Sequence, residues 1–153
     1  MCGIAGVYIQ QRQGRNDYGY IRNKFSSLLG GAEVRGTDAA GAFILRKGSA
    51  HFHKSADAAS RLVRTEEYRN FLDCLDDTAT ALVGHTRFAT QGDPSDNDNN
   101  HPIVDSPIIA VHNGIIRNDE ELDAKYDSVA EVDSAAAIAA MRYHAKDTIL
   151  TTP

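Results

Sequence analysis

Cysteine is scarce in this chain: two residues, Cys2 and Cys74, among 153. Two are too few for a disulfide framework, and the expectation is a reducing, cytoplasmic setting. No apolar run approaches the roughly 18 residues of a membrane span, and the Ile108–Val111 stretch is typical of what exists. The first twenty residues lack the charged-then-apolar pattern of a secretory signal. There is no Asn-x-Ser/Thr acceptor, internal repeat, low-complexity tract or linker. Basic residues are outnumbered, 16 against 21 acidic, for a formal charge of −5. That balance argues against a surface built to grip nucleic acid. What remains is one domain. Its 42% hydrophobic and 24% charged residues are close to the globular average, and a chain of this length buries roughly 68–70% of its unfolded surface.

Periodicity and turn residues divide the chain into alternating elements. A strand is expected over 3–10 and a helix over 17–29, stopping at Gly30-Gly31. A buried strand over 40–46 pairs with 50–54 across Lys47-Gly48-Ser49. Residues 57–75 read as mostly helical, with Leu62, Tyr68, Phe71, Leu72 and Leu75 toward the core. Strands follow over 79–88 and 107–112, separated by a surface loop of turn formers over 92–100. Helices are expected over 119–126 and 133–146, the second with Ile138, Met141 and Ala145 on one side. About five strands mixed with helices on one core imply an α/β or α+β layered fold.

The placement of Cys2 directly behind the initiator methionine carries the first chemical suggestion. With Met1 removed, its thiol shares a residue with a free α-amine. An amine titrating near 7.7–8.0 is a competent base for a thiol near 8.5. This is the N-terminal-nucleophile arrangement; the alternative is a small buried hydrophobe. His112-Asn113-Gly114 follows an apolar strand, where an asparagine amide and a glycine N–H can share a developing oxyanion. The same Asn-Gly pair also reads as a hairpin turn. Arg87, near a strand end, is suited to clamp a carboxylate with two parallel hydrogen bonds, and Thr90 adds a hydroxyl. The alternative for Arg87 is an exposed side chain on an alternating strand. Asp133, ahead of an alanine-rich helix, is either an acceptor for an ammonium group or a helix N-cap. Together a nucleophile, an oxyanion pair, a carboxylate clamp and an ammonium acceptor describe a site for a free α-amino acid with a side-chain carbonyl.

Six segments in order carry a family resemblance: MCGIAGVY, RGTDAAGAF from Arg35, GHTRFATQGDP from Gly84, NNHPI from Asn99, VHNGIIRN from Val111 and EVDSAAAIA from Glu131. The chain resembles, over nearly its whole length, the glutaminase domain of the class II glutamine amidotransferases, closest in flavour to that of glucosamine-6-phosphate synthase. The resemblance implies an α+β fold, the αββα sandwich of the N-terminal-nucleophile hydrolases. It also implies that residues 1–153 form one such domain, short of the C-terminal strands of the usual one. By resemblance Cys2 attacks the glutamine side-chain amide, releasing ammonia and leaving a glutamyl thioester for water. Asn113 and Gly114 match the oxyanion hole, Arg87 and Thr90 the holders of the substrate carboxylate, and Asp133 the holder of its α-amine. Arg35 and His101 match supporting positions, and Phe88 stands where a gate residue, often tryptophan or tyrosine, follows the arginine. Gln91 replaces a histidine of the closest subgroup, and Ala39 replaces a serine. The implied partners are L-glutamine and an ammonia-accepting synthetase or transferase domain or subunit, with no cofactor, metal, nucleic acid or membrane.

The rival readings are an N-terminal-nucleophile amidohydrolase for another substrate and an inactive, truncated relative acting as a binding or regulatory subunit. Asp96, Asp98 and Asn100 have the alternation of a calcium loop without its turn glycine. His85, His101 and His112 lie on separate segments without ligand spacing and read as core or supporting histidines. His51 and His53 alternate on a short strand and are expected to be solvated on one face, and Cys74 reads as helix packing.

Overall fold

The computed structural model describes residues 1–10 and 16–149, with side chains up to Ala145. Its strands are β1 (Gly3–Tyr8), β2 (Ala39–Arg46), β3 (Ser49–Ser55), β4 (Ala79–Arg87), β5 (Ile103–Asp105) and β6 (Ile108–Ala110). Its helices are α1 (Tyr18–Ala32), α2 (Ala59–Leu62), α3 (Glu66–Asp73), α4 (Asp119–Tyr126) and α5 (Asp133–Ile149). The first four strands form an antiparallel sheet in the order β1-β4-β2-β3, and β5 pairs antiparallel with β6. Mixed helices and antiparallel sheets make the fold α+β.

Each element has a local cause. Asp17 caps α1 by accepting from the Tyr20 amide at 2.9 Å, and Phe25 and Leu29 are fully buried on its inner face. Contrary to the expected stop, α1 continues through Gly30 and Gly31 to Ala32. Neither glycine takes a positive φ, and the inward anchoring of Leu29 outweighs their weak helix propensity. The expected helix over 57–75 is two, because Thr65 turns its hydroxyl to the Tyr68 amide at 3.2 Å and starts α3 afresh. Strand β5 is an addition, since three residues are too few to show alternation. The strand expected over 107–112 shortens to β6.

One face of the four-stranded sheet is closed by α1, α2 and α3. Phe25, Leu29, Leu62, Tyr68, Leu72 and Leu75 pack there on Ala40, Ala42, Ile44 and Leu82. A second core joins β5 and β6 to α5 through Ile103, Val132, Ala135 and Ile138. Met141, expected on the inner side, is not part of it and is 56% exposed. The two cores meet where the segment leading into β5 lies on the other face of the large sheet. There the His101 ring sits 4.2 Å from that of His85, and Lys54 Nζ donates to the carbonyl of Asn100 at 3.0 Å. His53 is half-buried against Phe71 at 6.3 Å rather than solvated, since β3 turns it toward the helices. Cys74, at the end of α3, packs on the first core as expected. Among the described residues no helix is long and apolar enough to cross a membrane.

Candidate active site

Antiparallel pairing of β1 with β4 sets Gly3 opposite Thr86 and so brings Cys2 beside the residues that follow β4. The approach is close. A Cβ on Gly3 would lie 2.6 Å from Thr86 Oγ1 and 2.7 Å from the Ala32 carbonyl oxygen, so glycine is required behind the cysteine. The Cys2 thiol is free and half-buried. The Phe88 amide points at its sulfur at 3.4 Å, a donor suited to a thiolate. Arg35 holds the neighbouring backbone, donating from Nε to the Cys2 carbonyl at 2.8 Å.

The RGTDAAG segment explains itself as scaffolding for this corner. A Cβ on Gly36 would collide with the backbone carbonyl of Arg87. Asp38 accepts from the Ala89 amide at 2.7 Å, and its own amide donates to the Arg87 carbonyl at 3.0 Å. Gly41 leaves room for the His101 carbonyl.

Arg87 ends β4 and is only 4% exposed, which removes the alternative of a solvated strand arginine. Its Nη1 donates to Asn100 Oδ1 at 2.7 Å, and its Nη2 to the carbonyls of Gln91 and, at 3.0 Å, Gly92. Burial pulls its proton affinity down, while Cys2, Asp38 and Asp93 oppose that effect. The run of turn formers over 92–100 is therefore organised from within. Asn100, fully buried, also donates to the Pro94 carbonyl at 2.8 Å, and Asn99 accepts from the Glu131 amide at 2.9 Å.

Cys2, Arg87, Phe88, Thr90, His101, Gly114 and Asp133 line a single cavity of about 30 Å³, with Gln91, His112, Val132 and Ser134. Arg35 lies outside it and reaches only the Cys2 carbonyl beside it. Asn113 also lies outside the lining, with an exposed side chain. The hollow of about 500 Å³ between the β2–β3 hairpin and β5–β6 is lined mostly by apolar side chains and holds none of these residues. Asn113-Gly114 is not a primed hairpin turn, since neither residue has positive φ. Asp133 Oδ2 accepts from the Ile116 amide at 2.7 Å, and Oδ1 from the Ser134 amide at 2.8 Å. It thus ties the 112–116 loop to the start of α5. His101 is buried with both ring nitrogens unpartnered. Burial, reinforced by His85, His112, Arg87 and Lys54, pushes its pKa down to about 2, so it is neutral at ordinary pH.

Sequence reasoning gave no role to Asp38, Asn100 or Ser134. All three stand inside quoted segments, but nothing in a polar run announces that one asparagine is buried. His85, His101 and His112, distant in sequence, converge: His85 Nε2 donates to the His112 carbonyl at 2.9 Å. Among the described residues no group of three metal-ligating side chains is placed to hold an ion.

No family model matches the chain. Comparison with curated proteins finds homologues at 32–40% identity over most of its length. The relatives are glutamine–fructose-6-phosphate aminotransferases (isomerizing). That of Corynebacterium efficiens is 36% identical over 143 residues, covering 90% of this chain and 22% of the relative. That of Staphylococcus epidermidis is 32% identical over 158 residues, with 99% and 24% covered. That of Chlorobaculum tepidum is 40% identical over 119 residues, with 77% and 17% covered. The chain therefore spans about a fifth of the length of these relatives.

Proposed function

We propose that the chain is a glutaminase domain that hydrolyses the side-chain amide of L-glutamine and passes the ammonia to an acceptor domain or subunit. In this reading Met1 is removed and the freed α-amine takes the thiol proton. Cys2 Sγ bonds to the glutamine Cδ while Asn113 and Gly114 receive the oxyanion. The ammonium proton is returned to the leaving nitrogen as the C–N bond breaks, giving ammonia and a glutamyl thioester. Water then attacks the thioester, yielding glutamate and the free thiol. Arg87 and Thr90 hold the substrate carboxylate, Asp133 its α-ammonium group, and Phe88 covers the mouth. No cofactor or metal enters the reaction.

The observation that carries this reading is the convergence on one cavity of Cys2, Arg87, Gly114 and Asp133, from four separate stretches of chain. Arg87 retains donors beyond those it spends on its own loop. The contacts of the layers support an αββα sandwich of the N-terminal-nucleophile type: helices on the large sheet, then the β5–β6 side, then α5.

Purified protein, shown by intact mass to lack Met1, should release ammonia and glutamate from glutamine. Asparagine and N-acylated glutamine should be poor substrates. Equal turnover of these analogues would instead mark an amidohydrolase of other specificity. No turnover of any of them, with or without an acceptor protein, would leave the binding-subunit alternative.

A further inference from the structure

We propose that His85 is a positioning residue for the oxyanion pair, fixing the peptide from which Asn113 and Gly114 project. The inference rests on the glutaminase reading above for what the pair does, but not for how the loop is held.

The loop from His112 to Ile116 has three anchors. The His112 carbonyl accepts from His85 Nε2 at 2.9 Å. His112 Nδ1 lies 3.2 Å from Ser134 Oγ. The Ile116 amide donates to Asp133 Oδ2 at 2.7 Å. Asn113 and Gly114, between the anchors, make no hydrogen bond of their own among those of the described residues. Their orientation is therefore inherited. The peptide joining His112 to Asn113 is planar, so fixing the His112 C=O also fixes the plane in which the chain enters Asn113, whose Cα carries the side-chain amide and leads on to the Gly114 N–H. His85 is the anchor that does this from the large sheet.

His85 is built for the task. It stands on β4 between Ile4 of β1 and Gly41 of β2, with no exposed surface. A carbonyl only accepts, so Nε2 must carry a proton, and in the neutral ring Nδ1 is then bare. That nitrogen has no partner, so the residue is held for its single donor bond. The His101 ring, 4.2 Å away, fixes its plane. Gly114 sits against the same anchored residue: a Cβ there would lie 2.7 Å from His112 Nε2.

Glutamine places its carboxamide nitrogen near the position of Nε2, whereas asparagine and leucine offer no donor there. In the Met1-free protein, His85→Leu and His85→Asn should lower kcat for glutamine at least about tenfold, with KM changed less than about twofold, because a displaced oxyanion donor acts in the transition state. His85→Gln should recover most of the loss. Exchange of the Ile116 backbone amide, the hydrogen-bonded N–H of this loop, should accelerate in the Leu or Asn variant, whichever folds, and not in the Gln variant. Unchanged kcat, a loss that Gln does not relieve, or unchanged exchange would overturn the inference. If the parent protein itself releases no ammonia, the glutaminase reading fails. Exchange alone then decides the anchor, faster exchange supporting it and equal exchange rejecting it.

Discussion

Arg87 spends three N–H donors inside the protein, on Asn100 and the carbonyls of Gln91 and Gly92, and each bond helps to shape the polar segment after β4. A lysine has neither the planar fork nor the reach for all three. Arg87→Lys should therefore lower stability by about 2 kcal/mol, the scale of one or two charge-assisted bonds. It should also raise KM for glutamine about tenfold. A thermal melt and a substrate titration separate the two effects, and an unchanged KM would leave Arg87 as scaffold alone. The buried histidines give a second test. Burial, opposed by the His112 carbonyl, lowers the pKa of His85 to about 4, and His101 is held near 2. The unfolded chain takes up these protons near pH 6.5 while the native state does not. Stability is then full above about 6.5 and falls as pH drops toward 4, by up to about 1.4 kcal/mol per unit for each histidine. A Tm that stays flat between pH 6.5 and 4.5 would contradict this. Cys2, Arg87 and Asp133 were legible as candidates because chemistry limits what such residues do in company. Asn100 and His85 were not, because their importance lies in burial, which a polar or aromatic letter does not reveal.

At the scale of elements, strand pairing made the site and glycines allowed the pairing to close. Gly36 abuts the Arg87 carbonyl, where a methyl group has no space and backbone has to move. Gly31, inside α1, has open space for 4 Å around the place a Cβ would take, and no positive φ. Gly36→Ala should thus destabilise by more than about 3 kcal/mol or prevent folding, in the range of severe overpacking. Gly31→Ala should stabilise by about 0.5–1 kcal/mol through helix propensity and reduced unfolded-state entropy. Denaturant melts of both variants check the pair, and the opposite order would mean that α1 or the Gly36 corner is misplaced. The same helix shows the limit of pattern reading. A double glycine was a sensible stop by propensity, yet Leu29 packing and the bond from Thr86 Oγ1 to the Ala32 carbonyl at 2.9 Å carry the helix past it. Thr65, conversely, broke an apolar periodicity that looked continuous. The large strands were legible as apolar stretches bounded by turn residues, whereas β5, at three residues, was too short to stand out.

At the scale of the whole molecule, the sheet face opposite α1–α3 is only partly covered, and Ile4 (49%), Tyr8 (82%) and Phe52 (48%) stand exposed on it. The relatives are about four to five times longer than these 153 residues. Pattern alone left α/β and α+β open, and the antiparallel pairing within both sheets decides for α+β. The central claim concerns the candidate site: Cys2, freed of Met1, forms a covalent bond to the substrate. Acid quenching of the Met1-free protein during turnover of glutamine, followed by peptide mass analysis, tests it directly. One glutamyl group should appear on Cys2, lost on mild alkali, and neither adduct nor ammonia should appear with Cys2→Ala. Ammonia release that persists in Cys2→Ala, or an adduct on any other residue, would contradict the account.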